Sequence, residues 1–273
     1  MGDADAVSVL ERAKAYPYDV PESCYVLAHG RILPLVGVDL SSALSCKVLD
    51  NGKVRTLRAV AWRDGTDTGG LDTPELLLAY GSNASIEGLS RKLADCLNAS
   101  PIAVAKATLA DFDVVYSAHI SSYGAIPATL QYSPGARTTV FVLVTSPAQC
   151  RTLRATEPNY HFVRLDGIEL RLELGRTLSS VSAVISRHGA VTLDGTEVGV
   201  AAVKTRSRRF PALMQDQVLR AVRDLVAPSV DVDDFILENL QNSEVARRRT
   251  AALRRTARQF AYRSWEVVDP VPR

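Results

Sequence analysis

The sequence has 273 residues, of which 47% are hydrophobic and 23% charged, so it has the composition of a globular protein rather than of a disordered chain. The formal net charge of +2 indicates no class of partner, and no apolar run is long enough to span a membrane. The N-terminal residues lack the apolar centre of a signal peptide, and the four cysteines and four histidines show no metal-ligand spacing. We therefore expect a cytoplasmic protein with reduced cysteines, without a metal site, a cofactor or a membrane partner.

Residues 1–73 are predicted to form a β-rich extension. It opens with a helix over 4–15, and its strands flank a His-Gly turn at 29–30 and an Asp-Asn-Gly turn at 50–52. The predicted strands are 24–28, 31–35, 43–49 and 53–62. The polar, glycine-rich stretch 64–74 then predicts a domain boundary.

A buried strand is predicted at 75–80, where the sequence ELLLAY is almost continuously apolar. Gly81, Ser82 and Asn83 interrupt this run, and Asn83 or Ser85 can cap the helix predicted after them. The apolar positions of that helix are Ile86, Leu89, Leu93, Cys96 and Leu97. Glycine allows the backbone to approach a ligand closely, and unpaired N–H groups at a helix start attract anions. The pattern favours a cradle for a small carboxylate.

The stretch 74–205 is predicted to be the core domain and to be rich in strands. Ser146 and Pro147 open a helix that runs to about residue 155, with proline at the first helical position. The predicted strands are 112–117, 139–145, 162–174, 181–186 and 197–203.

The stretch 206–273 is predicted to be a helical extension packed on the core. Apolar residues between 213 and 226 mark an amphipathic helix, 233–240 forms a second, and Ser243 is expected to cap a third. The apolar face of the third helix would hold Ala246, Leu253, Ala257 and Phe260. Between residues 204 and 263 there are 13 Lys or Arg against 7 Asp or Glu.

The order of three motifs resembles the γ-glutamyl cyclotransferase-like (AIG2-like) family. Residues 80–83 read YGSN, and residues 124–135 read GAIPATLQYSPG, which contains the family's A-T-[LI]-x-x-x-P-G. A strand, a helix and then Glu157 with nearby Tyr160 complete the pattern. The chain departs from it at Pro158, where the family often has glycine. The resemblance covers roughly half of the chain.

The resemblance implies an α+β fold, with a small mixed β-barrel and flanking helices between the N-terminal β-rich extension and the C-terminal helices. It also implies an acyl-transfer enzyme that releases 5-oxoproline from a small γ-glutamyl substrate without a cofactor. Glu157 would be the catalytic acid and base. The implied substrate-binding residues are Tyr80, Gly81, Ser82, Asn83 and Tyr160.

Three further hypotheses remain open at this stage. An amide hydrolase or acyltransferase could use the same scaffold, with water or another amine as the attacking group. A non-catalytic binding module would be indicated by loss of the glutamate, but Glu157 is present. The arginine-rich C-terminal helices could bind nucleic acid or an acidic partner, although no aromatic residues interleave with the basic ones. We therefore expect a small-molecule ligand rather than nucleic acid.

Overall fold

The computed structural model describes residues 3–28, 30–63, 69–97 and 100–268. His29 of the first predicted turn and residues 64–68 of the predicted boundary loop lie outside the described residues. Among the described residues, no helix combines the length and the apolar character needed to cross a membrane. All four cysteines are described and carry free thiols, and only Cys96 is not fully buried.

The N-terminal part contains two helices and four strands. They are α1 (Asp3–Lys14), β1 (Tyr25–Ala28), β2 (Arg31–Gly37), β3 (Lys47–Asp50), β4 (Lys53–Thr56) and α2 (Leu57–Arg63), with a 3₁₀ turn at Ala43–Ser45. The strands pair in order as antiparallel neighbours. The hairpin turn between β3 and β4 is confirmed, since Asn51 and Gly52 have φ values of 49° and 74°. These positive values suit asparagine and glycine.

The central part contains five strands and three helices. They are β5 (Glu75–Ala79), α3 (Ile86–Lys92), α4 (Ala94–Leu97), β6 (Ile102–Tyr116), β7 (Ala128–Thr145), α5 (Pro147–Ala155), β8 (Tyr160–Leu172) and β9 (Thr177–Ser186), with a 3₁₀ turn at Ser82–Ala84. The five strands are ordered β7-β5-β9-β8-β6, and β6 also pairs with β7, which closes a barrel. The barrel is mixed, because β5 is antiparallel to β7 and parallel to β9.

The C-terminal part contains short strands and three helices. They are β10 (Thr192–Leu193), β11 (Thr196–Glu197), β12 (Gly199–Val200), β13 (Thr205–Arg206), β14 (Ala212–Leu213), α6 (Gln215–Val226), α7 (Val232–Gln241), α8 (Ser243–Leu253) and β15 (Trp265–Val267). The predicted fold class is therefore confirmed: it is α+β, with a small mixed barrel, flanking helices, an N-terminal β-rich extension and C-terminal helices.

The chain forms two compact units, and each is assembled from separate stretches of sequence. The first unit consists of the residues up to Tyr18, Asp111–Thr138 and Ile185–Tyr262. The second unit consists of Asp19–Ala110, Thr139–Val184 and the residues after Tyr262. The division of the chain near residues 73 and 205 that the sequence indicated stays a prediction.

Each unit has its own buried interior. In the first unit, buried residues of the three C-terminal helices include Val218, Leu219, Val222, Phe235, Ile236 and Leu253. The first unit also contains an ion pair with a fully buried carboxylate, in which the Arg208 guanidinium contacts Asp113 at 2.9 Å. The same guanidinium donates to the carbonyls of Val200 and Val203, so the charge is well hydrogen-bonded.

Several local predictions are wrong. The strand predicted over 43–49 begins only at Lys47, because residues 43–45 form a 3₁₀ turn. The strand predicted over 53–62 ends at Thr56, whose hydroxyl accepts a hydrogen bond from the Ala59 N–H at 3.3 Å at the start of α2. The strand predicted over 197–203 is broken into β11 and β12, and a turn follows them. The cap of α8 is Asn242 rather than Ser243, because the Asn242 side chain accepts from the first N–H groups. Since α8 ends at Leu253, Ala257 and Phe260 do not extend its apolar face.

Candidate active site

The YGSN loop and Glu157 meet in the second unit. The loop follows β5, and Glu157 lies two residues after the end of α5 at Ala155. The Asn83 Nδ2 donates a hydrogen bond to Glu157 Oε1 at 3.0 Å, although the two residues are 74 positions apart in the sequence. The structure therefore brings together a loop and a carboxylate that the sequence marked separately.

Lys92, in the last turn of α3, joins the same cluster. Its ammonium group lies 2.5 Å from Glu157 Oε1 and donates to Asn83 Oδ1 at 2.8 Å. The exposed fractions of the Lys92 and Glu157 side chains are only 11% and 15%. In such a poorly solvated place each charge depends on the other, so loss of either partner is costly. Sequence reasoning missed Lys92, which belongs to none of the recognised motifs.

The two carboxylate oxygens of Glu157 have different surroundings. Oε1 accepts from both Asn83 and Lys92. Within the described part of the chain, Oε2 has no hydrogen-bond donor. Because the side chain remains partly exposed, Oε2 is the oxygen that a ligand can reach.

Ser85 fixes the shape of the loop. Its hydroxyl accepts from the Gly88 N–H at 3.0 Å, as the N-cap of α3, and donates to the Ser82 carbonyl at 2.8 Å. Of the two predicted caps, Ser85 is therefore the one used, while the Asn83 side chain is bonded to Glu157.

The loop itself forms a single 3₁₀ turn. Its first internal hydrogen bond runs from the Ala84 N–H to the Gly81 carbonyl at 2.9 Å. The N–H groups of Ser82 and Asn83 precede this bond and have no acceptor within the turn. They are the donors that the predicted anion cradle would use.

Helix α3 lies directly against the backbone of the loop. A Cβ atom added at Gly88 would stand 1.9 Å from the Ser82 carbonyl oxygen, so only glycine permits this contact. On its other side α3 contributes to the hydrophobic core of the second unit, which also includes Ala79, Ala84 and Leu153. The predicted single helix is divided at Leu93 into α3 and α4, but its five predicted apolar residues all lie in or against that core: Ile86, Leu89, Leu93, Cys96 and Leu97.

The two predicted tyrosines are both buried. Tyr80 is 6% exposed, and its hydroxyl donates to the Val184 carbonyl on β9. Tyr160 is 8% exposed, and its N–H donates to the Glu157 carbonyl at 3.1 Å. Pro158 occupies the second position of that turn, where its fixed φ is favourable, so it supports rather than disrupts the placement of Glu157. Substrate contact by either tyrosine stays a prediction.

The segment 124–135 belongs to the first unit. Its leading residue, Gly124, has a φ of 82°, and a Cβ there would stand 2.8 Å from the side chain of Ile236 on α7. The segment enters β7 at Ala128, whose N–H donates to the Tyr16 hydroxyl at 2.7 Å. These contacts show how the motif is held within its own unit.

Comparison with known proteins gives matches among solved structures alone. No protein-family model matches the chain, and no curated protein matches it. One similar structure is described as a γ-glutamyl cyclotransferase; at 19% identity and a TM-score of 0.34, the match covers 41% of this chain and 66% of that one. An uncharacterized protein from Homo sapiens gives the same identity, TM-score and coverages. A protein from Arabidopsis thaliana, known from a solution structure, is 14% identical with a TM-score of 0.31, over 42% of this chain and 62% of that one. The chain therefore spans just under two thirds of the length of each.

Proposed function

We propose that this protein is a γ-glutamyl cyclotransferase-type enzyme. It would cleave a γ-glutamyl amide by attack of the substrate's own α-amine, releasing 5-oxoproline and a free amine. The observation that carries the proposal is the contact between Asn83 of the YGSN loop and Glu157, which leaves one carboxylate oxygen open to a ligand. The order of sequence motifs that resembles the family supports it further.

The proposed reaction needs no nucleophilic serine or cysteine from the protein. The attacking amine and the carbonyl carbon belong to one substrate molecule, so the enzyme contributes by holding the folded conformer. Such positioning can supply several kcal/mol of the activation barrier. A loop that binds the substrate and a single carboxylate beside it are sufficient to hold this conformer and to transfer its protons.

Glu157 would transfer two protons, one after the other, from the attacking nitrogen to the leaving nitrogen. Its Oε2 takes a proton from the substrate α-ammonium group, and the freed nitrogen then forms a bond to the γ-carbonyl carbon. The carbonyl oxygen carries the negative charge of the tetrahedral intermediate. Glu157 passes this proton to the leaving nitrogen and then takes the second excess proton from the attacking nitrogen, which is positively charged after the attack. When the carbonyl re-forms, the bond to the leaving amine breaks, and the released amine takes that second proton and departs as an ammonium ion. The carboxylate is thereby restored for the next turnover.

The neighbours of Glu157 would divide the remaining tasks. Lys92 and Asn83 hold Oε1, which fixes the direction in which Oε2 points. The N–H groups of Ser82 and Asn83 are suited to bind the substrate α-carboxylate or the oxyanion, since both are anions. We therefore assign substrate binding to the loop and proton transfer to Glu157.

The proposal is tested by incubating the protein with a panel of γ-glutamyl amines and measuring 5-oxoproline by mass spectrometry. Glu157→Gln keeps the size of the side chain and its bond to Asn83 but removes the proton acceptor, so turnover should fall about a hundredfold or more. Glu87→Gln is the matched control, because Glu87 is an exposed glutamate on α3, and it should keep the native rate.

Two results would count against this function. One is a Glu157→Gln variant as active as the native protein. The other is a native protein that releases 5-oxoproline from no member of the panel. Free glutamate or a new γ-glutamyl amide as the product would instead indicate the hydrolase or acyltransferase alternative.

A further inference from the structure

A cleft of about 670 Å³ lies between α6, α7 and α8 in the first unit. Its lining includes the apolar residues Val226, Val245 and Ala252 and the polar residues Gln241 and Asn242. Among the described residues that line the cleft, none is aromatic. The cleft therefore has a lining of mixed apolar, polar and charged residues.

One of the two arginines in the cleft is already neutralised. The Arg249 guanidinium pairs with the Glu238 carboxylate and donates to Asn239 Oδ1 at 2.9 Å. It also lies over the Phe235 ring at 4.7 Å from the centroid. Arg249 is thus part of the packing between α7 and α8, and its charge is not available to a ligand.

The second arginine, Arg248, is exposed and has no acidic partner among the described residues. Val245, Arg248 and Ala252 lie on one face of α8, because residues three and four apart are neighbours on a helix. Arg255 follows Arg248 by seven residues, lies in the turn after α8, and is also exposed.

Two more arginines border that face. Arg247 and Arg254 directly precede Arg248 and Arg255, so they are also seven residues apart. Both are exposed. Like Arg248 and Arg255, they make no ion pair within the described part of the chain. Of these four arginines, Arg248 lines the cleft, and the other three lie on or directly after the same helix and are exposed.

We propose that this cleft, together with Arg248 and Arg255, binds an acidic peptide segment of a partner protein. An apolar side chain of the peptide contacts Val245 and Ala252, and its carboxylates pair with the two arginines. Guanidinium groups bind carboxylates through two parallel hydrogen bonds, which suits this task. A nucleic-acid strand is disfavoured, because single-stranded binding relies on aromatic rings that stack on bases and the cleft lining has none.

The test is a titration of the full-length protein with a fluorescent synthetic peptide of alternating glutamate and leucine. Binding should weaken as salt is raised, because exposed ion pairs are screened. The double variant Arg248→Ala/Arg255→Ala should bind about tenfold more weakly. Arg220→Ala should bind as the native protein does, since Arg220 is an exposed arginine of the same unit that is ion-paired with Asp216.

Two further arms identify the partner class. Val245→Ser should weaken binding of the glutamate-leucine peptide while leaving binding of polyglutamate unchanged. An oligothymidylate of equal charge should bind more weakly than the peptide. The proposal is overturned if the peptide does not bind, if the double variant binds it as the native protein does, or if the oligothymidylate binds more tightly.

Discussion

The chemistry proposed for this protein depends on one carboxylate with two unlike oxygens. Glu157 Oε1 is held by Lys92 and Asn83, whereas Oε2 has no donor among the described residues. A residue on a turn after a helix would otherwise adopt many side-chain orientations. The two hydrogen bonds to Oε1 therefore fix the orientation of the Glu157 side chain, while Oε2 can still exchange a proton with a ligand.

Replacement of Lys92 tests this arrangement at the level of stability. Lys92→Met leaves the mostly buried Glu157 carboxylate without its cation, so the free energy of unfolding in urea should fall by about 1–3 kcal/mol. The double variant Lys92→Met/Glu157→Met should recover most of this loss, because no unpaired charge remains. Lys106→Met removes a more exposed ion pair with Glu173 and should cost about 1 kcal/mol or less. If Lys92→Met is as stable as the native protein, the pair does not hold Glu157.

At the scale of elements, α3 shapes the site through its close contact with the loop. The helix packs its apolar side on the core of the second unit and its Gly88 on the Ser82 carbonyl. Ser85 joins the two by capping the helix and bonding to the same carbonyl. The loop geometry is therefore a property of the helix as much as of the YGSN sequence.

Substitution at Gly88 gives a prediction with a defined sign. Glycine to alanine inside a helix normally stabilises by about 0.5–1 kcal/mol. Here the added methyl would stand 1.9 Å from the Ser82 carbonyl oxygen, so Gly88→Ala should destabilise the protein and slow 5-oxoproline release. Ser90→Ala on the same helix is the control and should change stability by no more than a few tenths of a kcal/mol. A Gly88→Ala variant that is more stable and fully active would contradict the role of α3.

Several elements around the site follow from local sequence alone. The helix predicted at 147–155 matches α5, because Ser146 and Pro147 supply both a cap and a favourable first residue. The order of β5, turn and α3 also follows from local sequence. A continuous apolar segment is interrupted there and is followed by apolar residues at the spacing of a helix.

The elements that local sequence did not reveal depend on tertiary contacts. β6 begins at Ile102, ten residues before the predicted strand, and its first half is rich in alanine, which has little preference for strands. It is a strand because it pairs with β1 and β8. Lys92 and Gly88 were missed for a similar reason, since their partners, Glu157 and Ser82, become visible only in the folded chain.

At the scale of the whole molecule, the net charge is only +2, but the charged residues are unevenly distributed along the chain. The exposed arginines of α8 and of the turn after it lie in the first unit, and Arg248 among them lines the cleft. The Glu157 site lies in the second unit. The two proposals can therefore be tested independently, with variants that do not share residues.

The pH dependence of stability should reflect a pair of histidines in the first unit. Burial, aided by nearby His188, lowers the pKa of His119 from 6.5 to about 3. The pKa of His188 is also lowered, first by burial and then by Arg254 and Arg187. Below pH 6.5 the unfolded chain binds protons that the folded chain does not, so stability should fall as the pH is lowered towards 3.

The slope should be at most about 1.4 kcal/mol per pH unit for each histidine. His119→Asn removes the titrating imidazole. Its amide oxygen takes the place of the ring Nδ1, which in the native protein lies 2.6 Å from the Ser117 hydroxyl. Urea unfolding between neutral and mildly acidic pH should therefore show a shallower slope for this variant. An unchanged slope would show that His119 does not contribute.

The central claim is that the substrate α-amine, and not water, attacks the γ-carbonyl under the control of Glu157. It is tested most directly by running the reaction in water enriched in the heavy oxygen isotope and analysing the products by mass spectrometry. We predict unlabelled 5-oxoproline from the native protein and almost none from Glu157→Gln. Labelled glutamate from the native protein, or equal 5-oxoproline release by the two proteins, would contradict the account.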